Sequence, residues 1–118
     1  YCIIDWHLIA AWDSPVTDKR LRSFWRKVAP LFANDPNILY EMFNEPTTPK
    51  QRTRENWLRW RDKAQGWVDF IRTLAPATIL LVGSQHWDHM TSFAAKEPIA
   101  GANISYVAHV YPNWKPHR

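Results

Sequence analysis

The sequence contains only one cysteine, Cys2, so no disulfide bond can form within the chain and its redox compartment stays open. A buried, unreactive thiol is the expected state of that residue. No apolar stretch approaches the roughly 20 residues that a membrane helix requires, and no signal-peptide pattern opens the chain. These absences predict a protein without internal disulfides and without a membrane partner.

Repeats, low-complexity segments and recognisable interdomain linkers are also missing from the sequence. Its 118 residues are 46% hydrophobic and 22% charged, which is typical of one globular domain or part of one and argues against disorder. The chain starts inside an apolar run, at Tyr1, without an initiator methionine. We therefore expect residues 1–118 to be the central, incomplete part of a single domain.

The net charge of +4 and the pI of about 9.5 would by themselves permit a nucleic-acid partner. Most basic residues, however, fall in two amphipathic stretches, 19–27 and 50–72, where they alternate with apolar positions. This spacing is typical of the solvated face of a helix. We therefore expect no nucleic-acid partner.

Four short apolar runs predict β-strands over 1–6, 37–43, 78–83 and 103–110, and their continuous apolar character predicts burial on both faces. Apolar residues recur at helical spacing in the first connection, where Pro30 should distort the helix near its end. A longer stripe predicts a helix from an N-cap at Thr53 to just before Pro76. The third connection, 87–96, predicts a short helix at best.

The resulting order alternates strands and helices, which predicts an α/β fold with parallel strands and right-handed crossovers. An open doubly wound sheet and part of a (β/α)8 barrel both fit this order. A complete barrel needs about 250 residues, so the chain corresponds to about half of one.

Polar or aromatic residues follow every predicted strand, at the ends where parallel α/β folds place their chemistry. Each has a structural explanation when taken singly: Asp5 pairing with loop backbone, Asn44 ending a strand, or His109 as a buried, hydrogen-bonded histidine. Their recurrence at four strand ends favours a site, and Glu45 fits a structural role least. Glu41 lies on the same side of its strand, and we expect it to be a buried carboxylate paired with a base.

The eight tryptophans divide into two groups by position. Those on the helical stripes are expected to be packing residues, and those that follow strand ends could stack on sugar rings. The first group is Trp25, Trp57, Trp60 and Trp67, and the second is Trp6, Trp12, Trp87 and Trp114.

Several segments together resemble strands 3 to 6 of the family 5 glycoside hydrolases of the cellulase type. They are Tyr1-Cys2-Ile3-Ile4-Asp5-Trp6-His7, Phe24-Trp25-Arg26-Lys27-Val28-Ala29, the run from Asp35 to Pro46, Ile79 to Gly83 with Trp87, and Asn103-Ile104-Ser105-Tyr106 with His109 and Tyr111. The strand end Asn44-Glu45-Pro46 is the most specific of these. The resemblance covers essentially the whole chain in the right order.

The resemblance implies a TIM barrel that hydrolyses a β-linked polysaccharide with retention, most often as an endo-β-1,4-glucanase, without a metal or other cofactor. Glu45 matches the acid/base, and Asn44 matches the amide that binds near the sugar 2-hydroxyl. The other matching positions line the cleaved linkage or form sugar subsites: His7, His109, Tyr111, Trp87 and Trp6. Secretion is expected because such substrates are too large to enter a cell.

A retaining glycosidase needs two carboxyl groups, and Glu45 can be only one of them. The family places the nucleophile on strand 7, beyond Arg118. We therefore expect the 118-residue chain alone to lack glycosidase activity and to expose strand edges where strands 2 and 7 belong.

Three alternatives remain open at this point. A metal-dependent barrel hydrolase could use Asp5 with His7, or His86 and His89 with Asp88, as ligands. A non-catalytic sugar-binding module would keep the aromatic residues without the chemistry. Within the family, a β-mannanase or another β-glycanase would share the same strand end.

Overall fold

A computed structural model describes residues 1–112 of the chain. It contains six strands and four helices, with a 3-10 helix at Ala29–Leu31 directly after the first long helix. In chain order they are β1 (Cys2–Asp5), β2 (Ile9–Ala10), α1 (Pro15–Val28), β3 (Ile38–Glu41), β4 (Glu45–Pro46), α2 (Arg54–Arg72), β5 (Ile79–Val82), α3 (Gln85–Asp88), α4 (Thr91–Lys96) and β6 (Ile104–Tyr106).

The main sheet has four parallel strands in the order β1-β3-β5-β6. One row of the register joins Ile4 to Tyr40, Tyr40 to Leu80 and Leu80 to Ile104. The spatial order follows the chain order without the reversal that defines a doubly wound sheet, as in a (β/α)8 barrel. The predicted α/β fold is confirmed, and the sequential order selects the partial barrel over the open sheet.

N-cap residues mark the start of both long helices, and a proline follows the end of the first. Ser14 caps α1 by accepting a hydrogen bond from the Val16 N–H at 3.2 Å, and α1 ends at Val28, just before the 3-10 helix that contains Pro30. Thr53 caps α2 by accepting from the Asn56 N–H at 3.2 Å. Both the N-cap at Thr53 and the distortion at Pro30 confirm the sequence prediction.

The tryptophans of the helical stripes form the core between the helices and the sheet. All four are fully buried, and each indole N–H has a partner. The acceptors are Met42 O for Trp25, Glu97 O for Trp57, Gly83 O for Trp60 and a carboxylate oxygen of Asp18 for Trp67. These residues are packing residues, as predicted.

Three expectations about burial are wrong. Trp12 is buried against Trp60, and its indole donates to Thr48 O, so no open ring face is left for a sugar. Cys2 is exposed rather than buried. The first half of β1 is exposed as well, because β1 pairs only with β3 among residues 1–112. Burial on both faces therefore fails for this edge strand.

The third connection contains two short helices, α3 and α4, rather than one short helix. Within α3 the backbone is left-handed, with φ angles of 59° at His86, 54° at Trp87 and 61° at Asp88. No helix among residues 1–112 combines the length and apolar character needed to cross a bilayer.

Candidate active site

A short parallel pairing between β2 and β4 fixes the strand end that carries Glu45. Ile9 pairs with Glu45, and the Glu45 N–H donates to Leu8 O at 3.1 Å. The Asn44 N–H likewise donates to Trp6 O at 3.3 Å. The backbone of this segment is therefore held by the loop that follows β1. The sequence prediction missed this pairing, because two-residue strands have no periodicity to detect.

The Glu45 side chain is 4% exposed and lies at the centre of a hydrogen-bonded cluster. Its Oε1 accepts from the Tyr111 hydroxyl at 2.8 Å and from His109 Nδ1 at 2.7 Å. On the other side of the imidazole, His109 Nε2 lies 3.4 Å from Glu41 Oε1. The structure thus brings together Glu45, His109 and Tyr111, and it confirms Glu41 as a buried carboxylate paired with a base.

These contacts shift the pKa values of the side chains in the cluster. Burial alone would raise the pKa of Glu45, but hydrogen bonds from His109 and Tyr111 outweigh it and lower the pKa below its usual value. Burial would lower the pKa of His109, but the hydrogen bond to Glu45 and the nearby carboxyl groups raise it. Burial raises the pKa of Glu41. The cluster therefore favours an imidazolium beside an ionised Glu45.

The remaining polar residues predicted for the site surround this cluster. The exposed His7 places Nδ1 2.6 Å from Asp5 Oδ2, so Asp5 pairs with this imidazole rather than with loop backbone. Asn44 precedes Glu45 and is buried. The binding roles of His7 and Asn44 stay predictions.

The two aromatic residues predicted for sugar subsites have different surroundings. Trp87 is half-buried, and Lys50 Nζ lies 5.6 Å from its ring centroid. Trp6 is half-buried and packs edge-on against Phe43, with 5.3 Å between ring centroids. Their contacts with sugars stay predictions, and Trp114 lies outside the described residues.

Asp88 is a member of the cluster that the sequence prediction considered only as a metal ligand. It is fully buried, and its Oδ1 accepts from the Ser84 N–H at 2.6 Å. Its Oδ2 lies 3.4 Å from His109 Nδ1. Burial raises the pKa of Asp88 to about 8. No sequence signal could have placed it here, because the left-handed turn occurs without glycine.

The metal alternative finds no support in the side-chain arrangement. No group of three histidine, cysteine, aspartate or glutamate side chains within residues 1–112 could hold a metal ion. Asp5 and His7 contact each other instead.

A family model described as cellulase (glycosyl hydrolase family 5) matches residues 1–118. An endoglucanase of Halalkalibacter akibai is 32% identical over 121 residues, covering 94% of this chain and 15% of the relative. Endoglucanase Z of Dickeya dadantii is 31% identical over 111 residues, covering 94% and 24%.

Solved structures show the same likeness. A native β-glucanase of Saccharophagus degradans superposes with a TM-score of 0.80 at 34% identity, covering 98% of this chain and 38% of that enzyme. Its complex with cellotetraose superposes with a TM-score of 0.80 at 33% identity, covering 100% and 38%. The chain thus spans less than two fifths of the length of each relative named here.

Proposed function

The chain belongs to glycosyl hydrolase family 5, the cellulase family, and we propose that it forms the acid/base half of a retaining endo-β-1,4-glucanase active site. The observation that carries the proposal is the cluster of Glu45, His109 and Tyr111 beyond the carboxyl ends of the parallel strands β3 and β6. Barrel enzymes assemble their catalytic groups at this end.

In the proposed reaction, Glu45 first donates its proton to the oxygen of the leaving sugar while a second carboxylate attacks the anomeric carbon. Ionised Glu45 then takes a proton from water, and that water releases the sugar from the second carboxylate. His109 and Tyr111 both bind Glu45 Oε1 and so fix the direction of the carboxyl group. Asn44, directly before Glu45, is proposed to bind the 2-hydroxyl of the same sugar.

The second carboxylate is proposed to come from outside residues 1–112. A nucleophile must reach the anomeric carbon, yet Asp88 is fully buried. Glu41 ends β3 and contacts His109 Nε2, on the opposite side of the imidazole from Glu45. Hydrogen bonds from His109 and Tyr111 lower the pKa of Glu45. A general acid must hold its proton, and a second carboxylate roughly 5 to 5.5 Å away would raise the Glu45 pKa through repulsion of like charges.

A β-1,4-glucan is the substrate that the relatives favour. Two of them carry the name endoglucanase, and the Saccharophagus degradans β-glucanase was solved with cellotetraose. Trp87 and Trp6 are proposed to contact sugar rings, and His7 a hydroxyl group. Such a polymer cannot enter a cell, so we propose that the protein acts outside it. A mannan or another β-glycan remains the alternative substrate, because Asn44-Glu45-Pro46 is shared across the family.

The test is sugar release from β-glucan and from mannan by the 118-residue chain and by a chimera. In the chimera, this chain replaces the matching segment of the Saccharophagus degradans β-glucanase, which supplies the rest of the barrel. We expect no turnover by the chain alone, turnover of β-glucan by the chimera, and loss of at least about a hundredfold in Glu45→Gln.

The matched control is Glu55→Gln, which makes the same chemical change on an exposed residue of α2 and should leave turnover unchanged. A chimera whose Glu45→Gln variant keeps full activity would refute the role of Glu45. Turnover by the isolated chain would refute the proposed source of the second carboxylate.

A second candidate function is glycan binding without turnover. It is favoured by the lack of an accessible second carboxyl group beside Glu45 among residues 1–112. Cello-oligosaccharide binding to the isolated chain that survives Glu45→Gln, together with an inactive chimera, would favour this candidate over hydrolysis.

A further inference from the structure

The turn that carries Asp88 has an unusual backbone. Three consecutive residues other than glycine, His86, Trp87 and Asp88, have positive φ angles. Residues held in this region are strained and persist only when their surroundings fix them. Such strain is concentrated at functional sites, so the placement of this turn calls for a chemical explanation.

The neighbouring residues are arranged around the Asp88 carboxyl group. Gly83 leaves space for it, because a Cβ at that position would overlap Asp88 Oδ1. The same oxygen accepts from the Ser84 N–H at 2.6 Å, while Ser84 Oγ accepts from the Met90 N–H at 2.9 Å. The Oδ1 side of the carboxyl group is therefore anchored.

The other oxygen faces the catalytic cluster. Asp88 Oδ2 is buried without a hydrogen bond to any residue in 1–112, and it lies 3.4 Å from His109 Nδ1. The same nitrogen is 2.7 Å from Glu45 Oε1, and Nε2 of the ring is 3.4 Å from Glu41. One imidazole thus stands among three carboxyl groups, which cannot all be ionised at low cost.

The charged and titratable groups that face Asp88 come from three segments. His109 and Tyr111 follow β6, Glu41 ends β3, and Glu45 begins β4. Of the three carboxyl groups, Asp88 is the most deeply buried. It is therefore the one that retains its proton to the highest pH, in agreement with a pKa of about 8.

We propose that Asp88 is a positioning residue of this site, which holds the His109 imidazole in place as Glu45 gains and loses its proton. While Glu45 is ionised, the Nδ1–H of His109 binds it. When Glu45 is protonated, that N–H loses its charged acceptor, and the loss of the Glu45 charge lowers the pKa of Asp88. Asp88 then releases its proton to solvent, and its Oδ2, 3.4 Å from Nδ1, becomes the acceptor. A small rotation of the ring exchanges one partner for the other. The inference rests on the proposed acid/base role of Glu45.

The test follows protonation directly and needs no turnover. The unmodified chain, labelled with ¹³C at aspartate carboxyl groups, is titrated by NMR together with the His109 ring. We expect one aspartate signal to titrate near pH 8 and the His109 signal to show a second step at the same pH. In Asp88→Asn, both should vanish and the His109 midpoint should fall by roughly half a pH unit or more.

A second pair of variants moves the carboxyl group without removing it. Gly83→Ala should displace Asp88 and abolish the second His109 step, whereas Gly66→Ala, on α2, has space for the methyl group and should leave it unchanged. All seven aspartates titrating below about pH 5 in the unmodified chain would overturn the proposal. So would a His109 curve that is identical in Asp88→Asn. The titration of the unmodified chain can refute the proposal by itself, so the test does not depend on either variant folding.

The outcome is independent of the hydrolysis assay. A coupled titration with an inactive chimera would leave Asp88 as the partner of His109 and refute only the catalytic role of Glu45. An active chimera with an uncoupled His109 would refute the role of Asp88 alone.

Discussion

Two aspartates of this chain are surrounded in opposite ways. Asp18, on α1, receives hydrogen bonds from Lys63 Nζ at 2.6 Å and from Trp67 Nε1 at 2.8 Å, both on α2, and from Arg22 Nε at 3.0 Å. Burial alone would raise the pKa of Asp18, but these three donors lower it to about 2. Asp88 has one backbone donor, and burial raises its pKa to about 8.

The difference separates a part of the molecule that stabilises the fold from the part that we propose carries the chemistry. Around Asp18, two of the three donors join α1 to α2, and the charge is matched. Around Asp88, the backbone is left-handed, one carboxyl oxygen lacks a hydrogen bond within residues 1–112, and three carboxyl groups surround one imidazole. Sites that store such unfavourable features do so at a cost to stability.

The largest expected difference between the two regions concerns their tryptophans. Trp67 is fully buried, stacks on Phe43 and donates to Asp18, so Trp67→Ala should lower the free energy of unfolding by about 3 to 5 kcal/mol. Trp87→Ala at the half-buried site position should cost less than about 1 kcal/mol and weaken cello-oligosaccharide binding instead. Urea unfolding and ligand titration measure both. Equal losses of stability in Trp67→Ala and Trp87→Ala would contradict the assignment of Trp67 to the core and Trp87 to the site.

A smaller effect is expected for Asp18→Asn. The variant should lose about 1 to 3 kcal/mol of stability at pH 7, since three donors lose a charged acceptor. Asp18 has a lowered pKa, so its contribution is present above the unfolded-state pKa near 4 and is lost as the pH falls towards 2. Urea unfolding of both proteins at pH 7 and at about pH 2 tests this. A difference that persists undiminished at the lower pH would contradict the charged role of Asp18.

A pH dependence of the opposite sign is expected for Asp88→Asn. A carboxyl group with a raised pKa binds more protons in the folded state than in the unfolded state. The unmodified chain should therefore lose stability relative to Asp88→Asn as the pH rises from about 4 to 8. Unfolding curves measured across this range report the change. A constant difference between the two proteins would show that Asp88 has an ordinary pKa.

The sequence predicted much of the fold because its signals there are periodic and local. The stripe that contains Trp57, Trp60 and Trp67 and the N-cap at Thr53 define α2 almost to the residue. The strand order, which separates a barrel from a doubly wound sheet, depends on pairing between distant segments and appeared only in the structure. Burial of Trp12 and exposure of Cys2 were mispredicted for the same reason, because both depend on tertiary neighbours.

The sequence identified most residues of the site but not the contacts between them. Strand-end position and family resemblance together singled out Glu45, His109 and Tyr111, and the structure places them in contact. The position of Asp88 depends on three left-handed residues and on the space at Gly83, and no sequence pattern encodes these.

The central claim is that Glu45 is the acid/base and that a different carboxylate is the nucleophile. The most direct measurement uses Glu45→Ala in the chimera with an aryl β-cellobioside whose leaving group needs no protonation, in the presence of azide. We expect azide to restore turnover and the product to be β-cellobiosyl azide, because azide replaces water after the covalent intermediate has formed. An α-azide, or no rescue with a correctly folded protein, would contradict it.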